Sequence, residues 1–581
     1  LSPQQTTPIQ PRPSSERADV AAIRTRPNAS VLVIGAGING IATFRDLALQ
    51  GVDVVLVDRG DFVSGASAAS SHMIHGGIRY LENGEFRLVK ESVTERNALI
   101  RIAPHYVKPL ETTVPIFSTF SGILSAPMRF LTHKSGKPTE RGAALIKTGL
   151  TIYDAFSRGG GQVPRHRFHG RTRSLAELPA LNDGIKYTAT YYDASMHDPE
   201  RLALDVLFDG LATGGHARAA NYLEAVGMGG DGVRLRDALT GIEFDVAADI
   251  VVNTSGPWTD LTNAELGRPT AFMGGTKGSH IVLDNPELLA ATGGREIFFE
   301  HEDGRIVLIY PLKGKVMVGT TDLEHDMRQP AVCTEAEVDY FFELIAHVFP
   351  AVPVDRSQIV YRFSGVRPLP RHDDEAPGFV SRDYRIEQAD VPERPGSTLL
   401  SLVGGKWTTF RALAEHLSNE VLALLDRERV SSTAGLAIGG GAGYPTTDDA
   451  RRVWVVAHGD EVGPLRAEEL LERYGTRAES FIASIEGEQD ESLAHHPGYS
   501  RREIAWLAGT EQVVHLADVV LRRTSIAFTG ALTVPLLDEL AEIVGAVLGW
   551  DFERRAIEAA TTRELLAERH GVDLEASATL V

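Results

Sequence analysis

Four short segments of this chain hold residues whose types and spacing suit chemistry. The first is Gly35-Ala36-Gly37-Ile38-Asn39-Gly40, followed by an apolar run that closes in Asp58-Arg59. Gly35 permits a tight turn, Gly37 lets backbone approach a pyrophosphate, and Gly40 lets a helix lie close on a strand. The N–H groups that open such a helix, at Ile38 and Asn39, face phosphates with partial positive charge, and a carboxylate at Asp58 accepts from a ribose. The second segment is small and hydroxyl-rich from Ser64 through Ser67 to Ser70-Ser71, and runs into His72-Met73-Ile74-His75-Gly76-Gly77-Ile78-Arg79-Tyr80. A solvent loop explains small residues but not Gly-Gly followed at once by Arg-Tyr. That pattern suits backbone passing tightly under a ligand, with hydroxyls and N–H groups offered to phosphates. The third segment, Thr254-Ser255-Gly256, ends the apolar run Val251-Val252. The fourth, Gly404-Gly405-Lys406-Trp407-Thr408-Thr409, follows Leu399-Leu400-Ser401-Leu402-Val403.

These segments need elements to place them. Val31-Leu32-Val33-Ile34 reads as a strand, the run to Gln50 as a helix stopped by Gly51, and Val54-Val55-Leu56-Val57 as a second strand. Strand, glycine turn, helix and strand form the unit that seats a dinucleotide. Val251-Val252-Asn253 brings a third strand back to the same edge. The turn at Gly404-Gly405 feeds a second helix, with Leu413, Leu417, Val421 and Leu424 on one face. A nicotinamide enzyme normally needs only the first turn. A flavin enzyme with two dinucleotide-type folds draws its sheet from distant pieces, and its late turn meets the isoalloxazine ring, where a helix end favours the negative charge of reduction. The two turns together favour FAD over NAD.

Elsewhere, Phe86, Val89, Val93 and Leu99 give a helix over 85–102 that Pro104 ends. Residues 305–311 and 316–320 read as a hairpin around Lys313-Gly314-Lys315. The stretch from Ser431 to Pro445, with Gly439-Gly440-Gly441, reads as a linker. Beyond it the chain reads as helical, with capping boxes at Thr476…Glu479 and Ser500…Glu503 and a buried face marked by Leu516, Val519 and Val520.

At 581 residues the chain predicts two or three domains, and 43% apolar with 23% charged residues is an ordinary globular composition. A net charge of -20 argues against a nucleic-acid binder, which needs a basic face, so an anionic substrate has to be drawn in by a local cluster of Arg and Lys. One cysteine, Cys333, leaves no intramolecular disulfide and points to a reducing, cytoplasmic compartment. Residues 1–29 lack an apolar signal-peptide core and read as a disordered leader. No run approaches the ~20 apolar residues that span a bilayer, which leaves a peripheral membrane contact open. His301-Glu302-Asp303 and Glu324-His325-Asp326 hold ligand-type residues without partner spacing, so no metal is expected.

Several longer motifs occur in one order: Val33-Ile34-Gly35-Ala36-Gly37-Ile38-Asn39-Gly40, Ser70-Ser71, Ile74-His75-Gly76-Gly77-Ile78-Arg79-Tyr80-Leu81-Glu82, Lys277-Gly278-Ser279-His280 and Gly319-Thr320-Thr321-Asp322. Ser364-Gly365-Val366-Arg367-Pro368-Leu369, Ser381-Arg382-Asp383-Tyr384 and Gly404-Gly405-Lys406-Trp407-Thr408-Thr409-Phe410-Arg411 follow. Together they resemble the FAD-dependent sn-glycerol-3-phosphate dehydrogenases and the related oxidases. The likeness runs from residue 30 to 425, and the tail around Ala517-Asp518-Val519-Val520 looks like the family's C-terminal domain. The resemblance implies FAD as cofactor and oxidation of sn-glycerol 3-phosphate to dihydroxyacetone phosphate, with quinone or oxygen taking the electrons. It implies catalytic roles for His75, Arg367 and Lys406, His75 being the base because imidazole titrates near neutral pH. It implies substrate binding by Arg79, Tyr80, Lys277, Arg367 and Arg382, the guanidinium groups supplying planar, permanent charge for a phosphate dianion. Around FAD it places Gly35, Gly37, Ile38, Asn39, Gly40, Asp58, Arg59, Ser67, Ser70, Ser71, His75, Gly76, Gly77, Thr254, Ser255, Gly256, Gly405, Lys406, Trp407 and Thr408.

The fold class that follows is α/β with a helical tail. A Rossmann-like FAD-binding domain is drawn from 30–107, 187–265 and 360–430, a substrate domain with an antiparallel sheet from 108–186 and 266–359, and an all-α domain from 445–581. His72 stands where the family often has lysine, Trp407 where it often has a smaller aliphatic or tyrosine, and His197-Asp198-Pro199-Glu200-Arg201-Leu202 replaces a usual Asp-Asp-Ala-Arg-Leu. The same chemistry on another polyol phosphate, such as an erythritol phosphate, therefore stays open. So do a nicotinamide dehydrogenase and a non-catalytic flavoprotein. For the tail, a homodimer interface, a lid and a membrane contact stay open.

Overall fold

Five runs pair in parallel to make the first of two sheets, in the order Ala217–Ala220, Val54–Val57, Asn28–Ile34, Glu243–Asn253 and Thr398–Val403. The computed structural model describes residues 16–77, 86–117, 146–147, 150–151, 153–154, 163–300, 306–371, 383–391, 394, 396–485 and 487–577. The central strands are apolar at successive positions because both faces are covered. Val31 and Val33 look toward the helices Ile38–Leu49, Pro199–Leu211 and Phe410–Leu424, whereas Leu32 and Ile34 look toward Val20, Ile23, Leu223 and Leu235. Arg385–Asp390 closes one edge in the antiparallel sense.

The second sheet is built on two long antiparallel pairs, Val107–Ile116 with Tyr187–Met196 and Met273–Leu283 with Ile359–Pro370. The strands Ile306–Leu312 and Lys315–Gly319 join them as a hairpin closed by Lys313-Gly314. Its burial follows the period of two that a strand imposes. Val307 and Ile309 enter a core with Phe341, Leu344 and Ile345 of the helix Glu335–Val348. Leu308, Tyr310 and Leu312 enter a different core, shared with Leu471, Phe481, Leu507, Val520 and Leu540 of the C-terminal helices. The helical tail thus packs on and covers one face of this sheet.

Four expectations are corrected. Tyr187–Met196 and Ile359–Pro370, drawn above into the FAD-binding pieces, pair in the second sheet rather than the parallel one. Within 1–29, Ala18–Thr25 is a helix with Val20 and Ile23 buried, and Asn28 already begins a strand; residues 1–15 lie outside the described ones. The alanines of this segment outweigh the Pro and Ser of its surroundings. The Ser431–Pro445 stretch is packed: Ile438 and Gly440 are buried, and a Cβ on Gly440 would collide with the Tyr474 carbonyl oxygen. Gly440 and Gly441 mark close approach to the backbone of Tyr474 and Ile102, not a loose tether. Finally, Ser500 and Glu503 do form a capping box, but the Thr476 hydroxyl donates to the carbonyls of Gly440 and Ala442 and caps no helix.

Candidate active site

The dinucleotide turn is defined by what crowds it. Gly35 has φ 103°, and a Cβ there would stand 2.7 Å from the Ser255 Cα. A Cβ on Gly40 would collide with the Gly35 carbonyl, so strand end, turn and helix touch backbone to backbone. The Thr254 hydroxyl donates to the carbonyls of Ile34 (3.1 Å) and Gly35 (2.9 Å) and ties the third strand to the turn. Ser255 donates to the Asn253 side chain, and Gly256 opens a short helical turn to Trp258. Gly37 stands at the N-cap of Ile38–Leu49, and the Ser67 hydroxyl accepts the Ile38 N–H at 3.0 Å. Asp58 accepts the N–H of Ala36 (2.7 Å) and of Gly60 (2.9 Å). Burial nevertheless pushes its carboxyl up to about 6, against those two donors. Arg59 lies over the Trp258 ring at 5.0 Å.

The late turn abuts the first. Gly405 has φ 108°, and a Cβ there would lie 2.5 Å from the Asn39 side-chain nitrogen. Lys406 donates from Nζ to the Ser92 hydroxyl at 2.7 Å, the Trp407 indole N–H to the Ser67 carbonyl at 3.1 Å, and the Thr408 hydroxyl to the His75 carbonyl at 3.2 Å. Three successive residues thus hold the helix at Phe86–Ile102, the loop at Ser67 and the loop at His75. Next to His75, the Gly76 N–H donates to the buried Asp193 carboxylate at 2.9 Å, and Gly77 is buried. Ser70 accepts the His72 N–H at 3.3 Å, and Ser71 shares a hydrogen bond of 2.8 Å with His280. The His280 ring stacks on Phe363 at 4.7 Å.

The second sheet reaches this region through one strand. A Cβ on Gly365 would collide with Ala69, so the Ile359–Pro370 strand rests directly on the Ser67–Ser71 loop. Two residues on, Arg367 donates from Nη1 to Asp322 (2.9 Å) and from Nη2 to the Thr320 hydroxyl and Thr321 carbonyl (both 2.9 Å), which fixes the plane of its guanidinium. Lys277 is not brought to the site. It is buried and donates to Glu337 (2.7 Å) and the Val332 carbonyl (2.6 Å), on the side of the Glu335–Val348 helix, so substrate binding by this ammonium is corrected. Arg79, Tyr80 and Arg382 lie outside the described residues.

The sequence profile of the FAD dependent oxidoreductase family matches residues 30–418, and that of the C-terminal domain of alpha-glycerophosphate oxidase matches 431–555. The chain is 32% identical over 520 residues to the glycerol-3-phosphate dehydrogenase of Synechocystis sp., covering 86% of this chain and 88% of that protein. The chain belongs to the FAD-dependent glycerol-3-phosphate dehydrogenase family. It is also 29% identical over 537 residues to glycerol-3-phosphate dehydrogenase 2 of Mycobacterium tuberculosis, covering 90% and 85% of the two chains. The crystal structure of the glycerol-3-phosphate dehydrogenase from Bacillus halodurans complexed with FAD aligns with 94% of this chain and 97% of its own, at a TM-score of 0.70 and 22% identity, which shows the same fold.

FAD is the cofactor of this family member, and the residues fit it. Among the described residues the Asn39 amide oxygen is buried without a hydrogen-bond partner between the two glycine turns, where a hydroxyl of the cofactor would satisfy it. The Gly35–Gly40 turn and the helix end at Ile38 would hold the pyrophosphate, Asp58 the ribose, and the Gly405–Thr408 turn the ring. Among the described residues no helix is long and apolar enough to cross a membrane, and no cluster of His, Cys, Asp and Glu could hold a metal ion.

Sequence reasoning missed the supporting groups Ser92, Asp193, His280 and Trp258. Each lies far along the chain from the segment it supports and forms no motif with it. Asp322 was within reach, because it closes Gly319-Thr320-Thr321-Asp322, the segment that grips Arg367.

Proposed function

We propose that this enzyme oxidises the secondary hydroxyl of sn-glycerol 3-phosphate to give dihydroxyacetone phosphate. The observation that carries the reading is the hydrogen bond from the Thr408 hydroxyl to the His75 backbone carbonyl, which ties the residue preceding Gly76-Gly77 to the late glycine turn that would hold the flavin ring. Bound FAD supplies the hydride acceptor. His75 takes the hydroxyl proton as the C–H bond breaks, and Arg367, with its plane fixed by Asp322, holds phosphate oxygens with Arg79, Tyr80 and Arg382. Lys406, oriented by Ser92, places a positive charge beside the ring.

The departures at His72 and Trp407 bear on substrate choice. The His72 ring is buried against Phe363 and Phe528, and Trp407 packs on Phe410 with its N–H on Ser67. Both serve packing, so neither departure argues for a longer polyol phosphate over the three-carbon substrate. Electrons leave for a quinone or for oxygen. A quinone is lipid-soluble, so that acceptor goes with a peripheral contact at the inner face of the cytoplasmic membrane, which flotation with liposomes tests; light scattering tests a homodimer.

The deciding experiment adds sn-glycerol 3-phosphate or erythritol 4-phosphate to the holoenzyme without oxygen and follows the flavin absorbance. Bleaching by the former at a rate at least tenfold higher supports the proposal. Bleaching by neither, with FAD bound, overturns it.

A further inference from the structure

The peptide between His75 and Gly76 is held at both ends. Its carbonyl accepts the Thr408 hydroxyl at 3.2 Å, and its N–H donates to Asp193 Oδ1 at 2.9 Å. The same oxygen accepts from Arg96 Nη1 at 3.0 Å and from the Tyr153 hydroxyl at 2.5 Å, and Arg96 also donates to the Tyr153 oxygen at 2.7 Å. The Arg96 and Asp193 side chains are 0% and 2% exposed. A Cβ on Gly76 would collide with the Tyr153 hydroxyl, so the cluster seats against bare backbone.

An ion pair buried this completely adds little stability over an apolar core of the same shape. What it supplies is a fixed place for the groups it binds. The helix that carries Arg96 also carries Ser92, which holds Lys406, and Glu95, which accepts from Arg411 at 2.7 and 2.8 Å at the start of the late helix. Residues at spacings of three and four share one helix face. One face of Phe86–Ile102 therefore sets the late turn directly and the His75 peptide through Asp193.

We propose that Asp193, held by Arg96 and Tyr153, is a positioning residue that fixes His75 relative to the Lys406–Thr408 turn. The inference rests on the reading of His75 as the base. Its failure is separable from the failure of that reading.

The test uses the holoenzyme in anaerobic single turnovers, reading the limiting rate of flavin bleaching and the substrate concentration at half the limiting rate. Misplacing a reacting group by about 1 Å costs on the order of 100-fold in rate. Asp193→Asn is expected to lower the limiting rate between about 10- and 100-fold, with half-saturation within about twofold and FAD content unchanged. Tyr153→Phe removes one ligand of the carboxylate without stranding a buried charge, so it decides the matter should Asp193→Asn fail to fold; the expected loss is about tenfold in the same parameter. Limiting rates within about twofold of the parent in Tyr153→Phe and in any folded Asp193→Asn overturn the proposal, as does a loss confined to half-saturation or to FAD content. His75→Asn is measured alongside. If it bleaches at the parent rate, the reading of His75 falls; if it does not and the cluster variants do, only the present inference falls.

Discussion

Lys277 and Arg367 occupy neighbouring strands of one sheet, where Lys277 pairs with Val366 and Thr276 with Arg367, yet they serve different ends. Side chains alternate across a strand, so this single step in register sends the two cations to opposite faces. On the face under the Glu335–Val348 helix, Glu337 accepts from Lys277, Ser279 and Thr321 and also caps its own helix. Burial works against that carboxylate, but its donors, Lys277 foremost, hold it below the usual range. On the other face Arg367 sits beside Gly278, gripped by Asp322 and Thr320, and its side chain keeps 21% of its exposure. The lesson is that a cation's face, rather than its charge or its motif, decides whether it belongs to a site.

Substitutions at the two positions should therefore separate cleanly. Arg367→Ala is expected to lower kcat/KM about 1000-fold, equivalent to about 4 kcal/mol, with the FAD content unchanged. Arg367→Lys keeps the charge and loses the planar fork, so a smaller loss of about 10- to 100-fold is expected in the same assay. Lys277→Met strands Glu337 as an unpaired buried carboxylate. It should cost about 3 kcal/mol in urea unfolding, while KM for sn-glycerol 3-phosphate stays within about twofold in the folded protein. A KM that rises in Lys277→Met as far as in Arg367→Ala would break the division between the faces.

The same contrast explains what could be read from the chain. The parallel sheet was legible because both its faces are dry, so Val31 through Ile34 and Val54 through Val57 stand as unbroken apolar runs beside a glycine turn. The antiparallel sheet writes its two cores on alternate residues, as in Val307 and Ile309 against Leu308 and Tyr310, all of them apolar. An alternation between two kinds of apolar surroundings leaves no trace in the residue types, so the residues of Ile306–Leu312 do not show which core each one enters. The glycine turns announced themselves through glycines spaced between an apolar run and a helix. Asp193 and Ser92 did not, because a buried carboxylate and a helix serine gain their meaning only from partners far away in sequence, Gly76 and Lys406. Gly439–Gly441 misled for the opposite reason: three glycines mean flexibility in solvent and close contact in a core, and only burial tells them apart.

A smaller effect tests the Arg367 face by pH. His280 lies on that face, two residues from Gly278, with its ring stacked on Phe363 and hydrogen-bonded to Ser71. Burial, helped by the nearby charge of Arg367 and by His72, lowers its pKa from 6.5 to about 3. The folded ring thus stays neutral in a range where the unfolded chain takes up a proton. Its contribution to stability is complete above pH 6.5 and is lost as pH falls through the window down to about 3, by up to about 1.4 kcal/mol per pH unit. Between pH 7 and 5 the parent should lose about 2 kcal/mol more than His280→Asn, which keeps a partner for Ser71 but cannot titrate. His72, His197 and His570 are also held neutral by burial and contribute equally in both proteins, so the difference between the two urea curves isolates His280. In Arg367→Ala one repelling cation is gone, and the window narrows from its acid end. Equal slopes for the parent and His280→Asn from pH 7 to 5 would mean that this face is wet, and that Arg367 sits in open solvent rather than at the edge of a closed site.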